Sequence, residues 1–120
     1  SMSAKQIGMA LGSIASYAAA KDVPFVRIIF CDAKATDAGY LAPEDIAGRV
    51  KVTGRGGTIL QPGVDCLEQA NDFPKDGPIL IITDGEIEND LKIRREHAFL
   101  LPRGNRLPFR ARGEVFYFRE

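Results

Sequence analysis

Apolar residues recur at helical spacing through residues 4–20, where Ile7, Leu11, Ile14 and Ala18 share a face with Ala10 and Tyr17. Ser3 fits the N-cap of this predicted helix, and Pro24 stops any continuation. Gly8, Gly12 and the alanines give the helix a thin surface that can approach a sheet closely. Phe25-Val26-Arg27-Ile28-Ile29-Phe30-Cys31 then reads as a strand, with Asp32 at its carboxyl end. Residues 33–48 are mixed, and the only element predicted there is a short helix at Pro43-Glu44-Asp45-Ile46, whose acidic residues suit a first turn. Arg49-Val50-Lys51-Val52-Thr53 alternates like a short edge strand, and Gly54-Arg55-Gly56-Gly57-Thr58 follows as a glycine-rich loop.

Gln61 and Pro62 open a second long helix, predicted to run to about Asn71 with Val64, Leu67 and Ala70 inward. Residues 72–78 form a loop. Ile79-Leu80-Ile81-Ile82 predicts a strand buried on both faces, ended by Thr83-Asp84-Gly85. The polar segment 86–96 reads as a short helix. Ala98-Phe99-Leu100-Leu101 is a further strand stopped by Pro102, and Glu114-Val115-Phe116-Tyr117-Phe118 is the last. Alternating strands and helices predict one α/β domain over residues 1–120: a mostly parallel sheet with helices on both faces, in three α-β-α layers. A chain of this class usually begins with a strand, whereas this one begins with a helix.

Composition supports an ordinary folded domain, with 45% hydrophobic and 27% charged residues. The formal net charge is zero, so there is no bulk attraction to nucleic acid. The charge is uneven, however: residues 1–90 hold 8 basic and 13 acidic residues, and residues 91–120 hold 8 and 3. Arg103, Arg106, Arg110 and Arg112 crowd a loop rich in Gly and Pro. Such a loop either is a solvated basic surface or grips phosphate, nucleic acid or an acidic protein. Cys31 and Cys66 read as small buried hydrophobes in a reducing, cytoplasmic compartment, although sequence alone leaves a disulfide open. No apolar run approaches the ~18 residues of a membrane span, and the amino end lacks the pattern of a secretory signal.

In a parallel α/β sheet, ligands bind beyond the carboxyl ends of the strands. Asp84 is therefore expected where a carboxylate can hold a metal or orient a ligand, and equally where it can cap a turn. Asp32 is expected on the same rim, supporting a site or capping a loop. The glycines of 54–57 make neither a Walker loop, for want of a following Lys-Ser/Thr, nor a complete G-x-G-x-x-G, since Ile59 stands where the third glycine belongs. The series Asp84, Glu86, Glu88, Asp90 is wrong in order for an EF-hand and fits the start of a solvated helix better. His97 is the only histidine, which argues against zinc, and no nucleophile elbow marks a hydrolase. Phe116, Tyr117 and Phe118 read as packing residues.

Gly56-Gly57-Thr58 and Thr83-Asp84-Gly85 resemble two of the three parts of the metal-ion-dependent adhesion site of von Willebrand factor A-like domains. The closest resemblance is to the bacterial, metallopeptidase-associated type. The family's first part is Asp-x-Ser-x-Ser after a first strand. Aligned this way, Ser1 is the last serine of that part, while its Asp, its other Ser and the first strand are missing. The resemblance covers nearly the whole chain in order and spacing. It implies a non-enzymatic protein-interaction module in which Thr58, Asp84 and Ser1 hold Mg²⁺ and a partner's Asp or Glu completes the coordination. Mg²⁺ keeps waters and needs few protein carboxylates, so such a donor set suits it. Without the motif's Asp, the expected metal affinity is weak or absent. The missing strand is central in the family, between the strands corresponding to 25–31 and 79–83. Its loss leaves unpaired edges through which a homo-oligomer could form.

Overall fold

The computed structural model describes residues 4–20, 22–31, 35–45 and 59–118. Helix α1 spans Ala4–Ala20 and turns the small Ala10 and the larger Leu11 into the interior. It is followed by β1 (Val26–Cys31), β2 (Ala35–Leu41) and a single 3₁₀ turn at Pro43–Asp45. Helix α2 spans Gln61–Gln69, and the chain ends with β3 (Ile79–Ile82), β4 (His97–Pro102) and β5 (Glu114–Phe118). No helix among the described residues is long and apolar enough to cross a membrane. The expected edge strand at 49–53 lies outside the described residues.

The chain is α/β, but its described strands form two sheets where one mostly parallel sheet was expected. β1 and β2 form an antiparallel pair running from Val26↔Leu41 to Cys31↔Ala35. β3, β4 and β5 form a parallel sheet with β4 in the middle, pairing Ile81↔Phe99 and Phe99↔Val115. Strand β2 was not predicted, because Ala35-Thr36-Asp37-Ala38-Gly39-Tyr40-Leu41 carries little strand signal of its own. It gains its ladder from β1. A bulge at Ile28/Ile29 absorbs Ala38, and Gly39 takes φ +77° there, a conformation glycine adopts without strain.

One face of the parallel sheet carries the core. Ile79, Ile81, Phe99 and Leu101 are buried on it, with Phe99 only 1% exposed. Leu80 and Phe116 point the other way and are 44% and 49% exposed, so β3 is not buried on both faces as expected. The core face is covered by Leu60 and Leu67 of the α2 region and by the two crossovers between parallel strands. Ile87, Leu91 and Ile93 come from the β3–β4 connection, and Leu107, Phe109 and Ala111 from the β4–β5 connection. Neither connection is helical, which corrects the helix expected over 86–96. Its backbone makes tertiary hydrogen bonds instead: Lys92 N–H donates to Gln61 Oε1 at 2.7 Å and Arg94 N–H to Glu68 Oε2 at 2.9 Å.

The β1–β2 hairpin is clamped by one guanidinium. Arg27 donates from Nε to Asp37 Oδ1 at 2.9 Å and from Nη1 to Asp72 Oδ1 at 2.7 Å, and it stacks 5.0 Å from the centre of the Tyr40 ring. Tyr40 O–H donates to the Asp72 carbonyl at 2.6 Å, so strand, hairpin partner and the loop after α2 meet at one point. The hydrogen bonds from Arg27 hold the Asp37 and Asp72 carboxyls below the usual carboxylate range.

Phe99→Ala should cost about 3–5 kcal/mol, a large share of a typical domain's stability, read as a fall in the urea midpoint. The clamp sets an acid limit. Asp37 and Asp72 titrate below their unfolded values, so the clamp's contribution is complete above the unfolded carboxylate pKa of about 4. It is lost as pH falls through the lowered folded values. Asp37→Asn should therefore lower stability at neutral pH and shrink the difference from the parent protein at low pH, read by thermal denaturation across that range.

Candidate metal and partner rim

β3 delivers Thr83, Asp84 and Gly85 to the carboxyl end of the parallel sheet. Thr83 continues the ladder, its N–H donating to the Leu100 carbonyl at 3.2 Å, and it is 5% exposed. Its hydroxyl oxygen accepts the Gly85 N–H at 3.1 Å. Asp84 Oδ1 accepts the Glu86 N–H at 2.9 Å, closing a side-chain turn of the kind Asp favours. The structure therefore bears out the turn-capping reading of Asp84, and the half-buried residue stays on the rim where a ligand reading needs it.

Gly85 is obligatory. Its φ is +94°, and a Cβ there would lie 1.9 Å from the Arg106 carbonyl oxygen. That close approach brings the β4–β5 connection onto the rim, and Asn105 Nδ2 seals it by donating to the Asp84 carbonyl at 2.8 Å.

The unforeseen member of the rim is Glu88. Its carboxylate accepts the Leu60 N–H at 2.9 Å to Oε1 and the Gln61 N–H at 3.0 Å to Oε2. Helix α2 has no side-chain cap from its own N-cap residue, Leu60. Glu88 supplies one from the β3–β4 connection, and the remaining donors of the first turn are accounted for. Pro62 has no N–H, and the N–H groups of Gly63 and Val64 both reach the Leu60 carbonyl. The negative charge also suits the positive end of the helix dipole. Gln61 reinforces the junction, its amide donating to the Lys92 carbonyl at 2.9 Å.

Of the sequence-derived metal residues, Asp84 is described, whereas Ser1 and Thr58 lie outside the described residues, as does Asp32. Among the described residues no group of three or more His, Cys, Asp or Glu is arranged to hold a metal ion. His97 is engaged structurally: Nδ1 is hydrogen-bonded at 2.9 Å to the Arg95 carbonyl, and the ring meets Phe99 edge-on at 5.5 Å. Cys31 and Cys66 are not joined in a disulfide, and each is half-buried.

The arginine loop does not form one patch. Leu107, Phe109 and Ala111 turn inward while Arg106, Arg110 and Arg112 alternate outward on an extended crossover. Arg103 and Arg106 lie near the rim. Arg110 and Arg112 lie toward the other end of the sheet, where Gly113 packs so tightly on the His97 carbonyl that a Cβ would come within 2.1 Å. No family model, curated protein or solved structure matches the chain.

Glu88→Ala should cost about 0.5–2 kcal/mol, the range for a lost helix cap. Amide exchange of Leu60 and Gln61 should accelerate more than that of Phe99 or Leu101. Uniform acceleration across the molecule would show that Glu88 does not act locally.

Proposed function

We propose that the chain is a von Willebrand factor A-like interaction module whose rim at the carboxyl end of β3 binds a divalent cation. Thr58 and Asp84 supply oxygen ligands, with Ser1 as a further hydroxyl, and an Asp or Glu of a protein partner takes the open coordination position. The observation that carries this reading is the Glu88 tie. Leu60 is the second residue after Thr58, Glu88 is the fourth after Asp84, and the two are hydrogen-bonded. The loops that bear the candidate ligands thus leave from one junction. The layout of β1 and β3 also supports the resemblance. Each has a single described partner strand, and both line an open cleft where the family has its first strand.

A hard cation suits this chemistry. Mg²⁺ takes oxygen ligands in octahedral geometry and retains waters, so one carboxylate and one or two hydroxyls are enough to seat it weakly. The bond to a partner's carboxylate then depends on the cation, and no substrate is turned over. Two cysteines that are not joined in a disulfide fit a reducing, cytoplasmic setting. A second reading draws on the exposed side chains of Arg103, Arg106, Arg110 and Arg112, none of which is in an ion pair among the described residues. They would bind phosphate or nucleic acid, and a steep loss of binding with salt, abolished by substituting all four, would favour that reading.

Paramagnetic Mn²⁺, standing in for Mg²⁺, tests the cation site even at millimolar affinity. Amide signals around Thr58 and around Asp84 and Glu86 should broaden first and together, and Asp84→Ala should remove the effect. Broadening spread evenly over the acidic surface, or confined to one of the two loops, would overturn the assignment.

A further inference from the structure

Two arginines are fixed beside Asp84 on the rim. The β3–β4 register sets Ile82 opposite Leu100, and Thr83 continues the ladder. Asp84 therefore stands opposite Pro102, one residue before Arg103. The backbone of Arg103 is pinned. Its N–H donates to the Phe118 carbonyl at 2.8 Å, and the Pro102 carbonyl accepts the Asn105 N–H at 3.1 Å. The second bond closes a tight turn with Arg103 at its first corner and Gly104, at φ +95°, at its second. The Arg106 carbonyl packs on Gly85, while Asn105 Nδ2 holds the Asp84 carbonyl. Both arginine side chains are exposed, and neither is in an ion pair among the described residues.

We propose that Arg103 and Arg106, on a rim that holds a cation as read above, select a partner segment with clustered carboxylates: an acidic stretch of polypeptide with two or more Asp or Glu close together in sequence. One carboxylate goes to the cation. Its neighbours go to the guanidinium groups, whose planar forks match carboxylate geometry. Charge decides when this happens. Among the described residues of the rim, Glu88 is committed to the α2 amides, and Asp84 and Glu86 offset the two arginines when no cation is bound. A divalent cation turns that balance positive and makes the rim attractive to anions. The arginines in turn repel a bare cation, so cation and acidic partner bind best together. A polypeptide fits better than a nucleic acid. Arg110 and Arg112 lie toward the other end of the sheet, so no continuous basic track follows a phosphate backbone.

The test compares the parent protein with an Arg103→Gln, Arg106→Gln double variant by NMR. Each is titrated with Mn²⁺ alone and, in Mg²⁺, with two blocked glycine peptides, one holding three adjacent aspartates and one holding a single aspartate. The parent should bind the three-aspartate peptide roughly three- to tenfold more tightly than the other, the scale of two exposed ion pairs. The double variant should lose that margin. It should also bind bare Mn²⁺ about twofold or more tightly, read from broadening at Asp84 and Glu86, because two repelling charges are gone. Opposite signs for cation and peptide separate this outcome from a folding defect. Arg110→Gln with Arg112→Gln should change neither affinity. An unchanged peptide margin, or Mn²⁺ binding that does not tighten in the double variant, overturns the proposal and leaves the cation reading intact. Peptide binding that needs Arg103 and Arg106 but persists in EDTA, with no Mn²⁺ broadening at Asp84, overturns the cation reading and the coupling with it. A single-stranded oligonucleotide that displaces the peptide at lower concentration makes nucleic acid the occupant and overturns the proposal.

Discussion

The rim depends on one carboxylate. Glu88, in the β3–β4 connection, accepts from two backbone donors at the start of α2, and three features go with that bond. Helix α2 begins without a cap of its own. The β3–β4 connection stays extended where its sequence reads as helix. Leu60, at the start of α2, is held beside the connection that leaves the carboxyl end of β3, the end of the sheet where α/β proteins bind ligands. Buried hydrogen bonds to a charged acceptor are among the stronger polar interactions in proteins, which suits this one to organise a junction.

The rest of the architecture is economical in regular structure. Two long crossovers, together with Leu60 and Leu67 of the α2 region, cover the core face of the parallel sheet, and the second crossover does so by alternation. Leu107, Phe109 and Ala111 face Phe99 and its neighbours, and the arginines between them face solvent. Phe109 meets Phe99 at 5.7 Å in a tilted edge arrangement, so the crossover is fixed by aromatic packing as well as by burial. The hairpin of β1 and β2 is held separately, by the Arg27 clamp. The two sheets, pinned by different interactions, face each other across an apolar cleft.

Elements whose cause is local were legible in the sequence. The 3.6-residue spacing of α1, the Pro62 start of α2 and the aliphatic or aromatic runs of β1, β3, β4 and β5 all specify their own conformation, and each was placed to within a few residues. What depends on distant partners was not legible. β2 is a strand because β1 lies beside it. Residues 86–96 are extended because Gln61, Glu68 and the α2 amides take their polar groups. Glu88 looked like one member of an acidic series, and only its position opposite a helix start gives it a role. A Pro-led helix start with Leu60, rather than Ser, Thr, Asp or Asn, at the N-cap position was the one available hint that a cap must come from elsewhere. Asp84 was placed on the rim correctly, and its turn-capping bond was one of the two readings its position allowed.

The central claim is that the side chains at 58 and 84 approach one another closely enough to share a cation. Spin labels at Thr58→Cys and Asp84→Cys, in a background with Cys31→Ser and Cys66→Ser, measure this directly. The account predicts a doubly labelled spectrum strongly broadened by dipolar coupling relative to the sum of the two singly labelled spectra. A doubly labelled spectrum equal to that sum would put the two positions at separate ends of the sheet and contradict it.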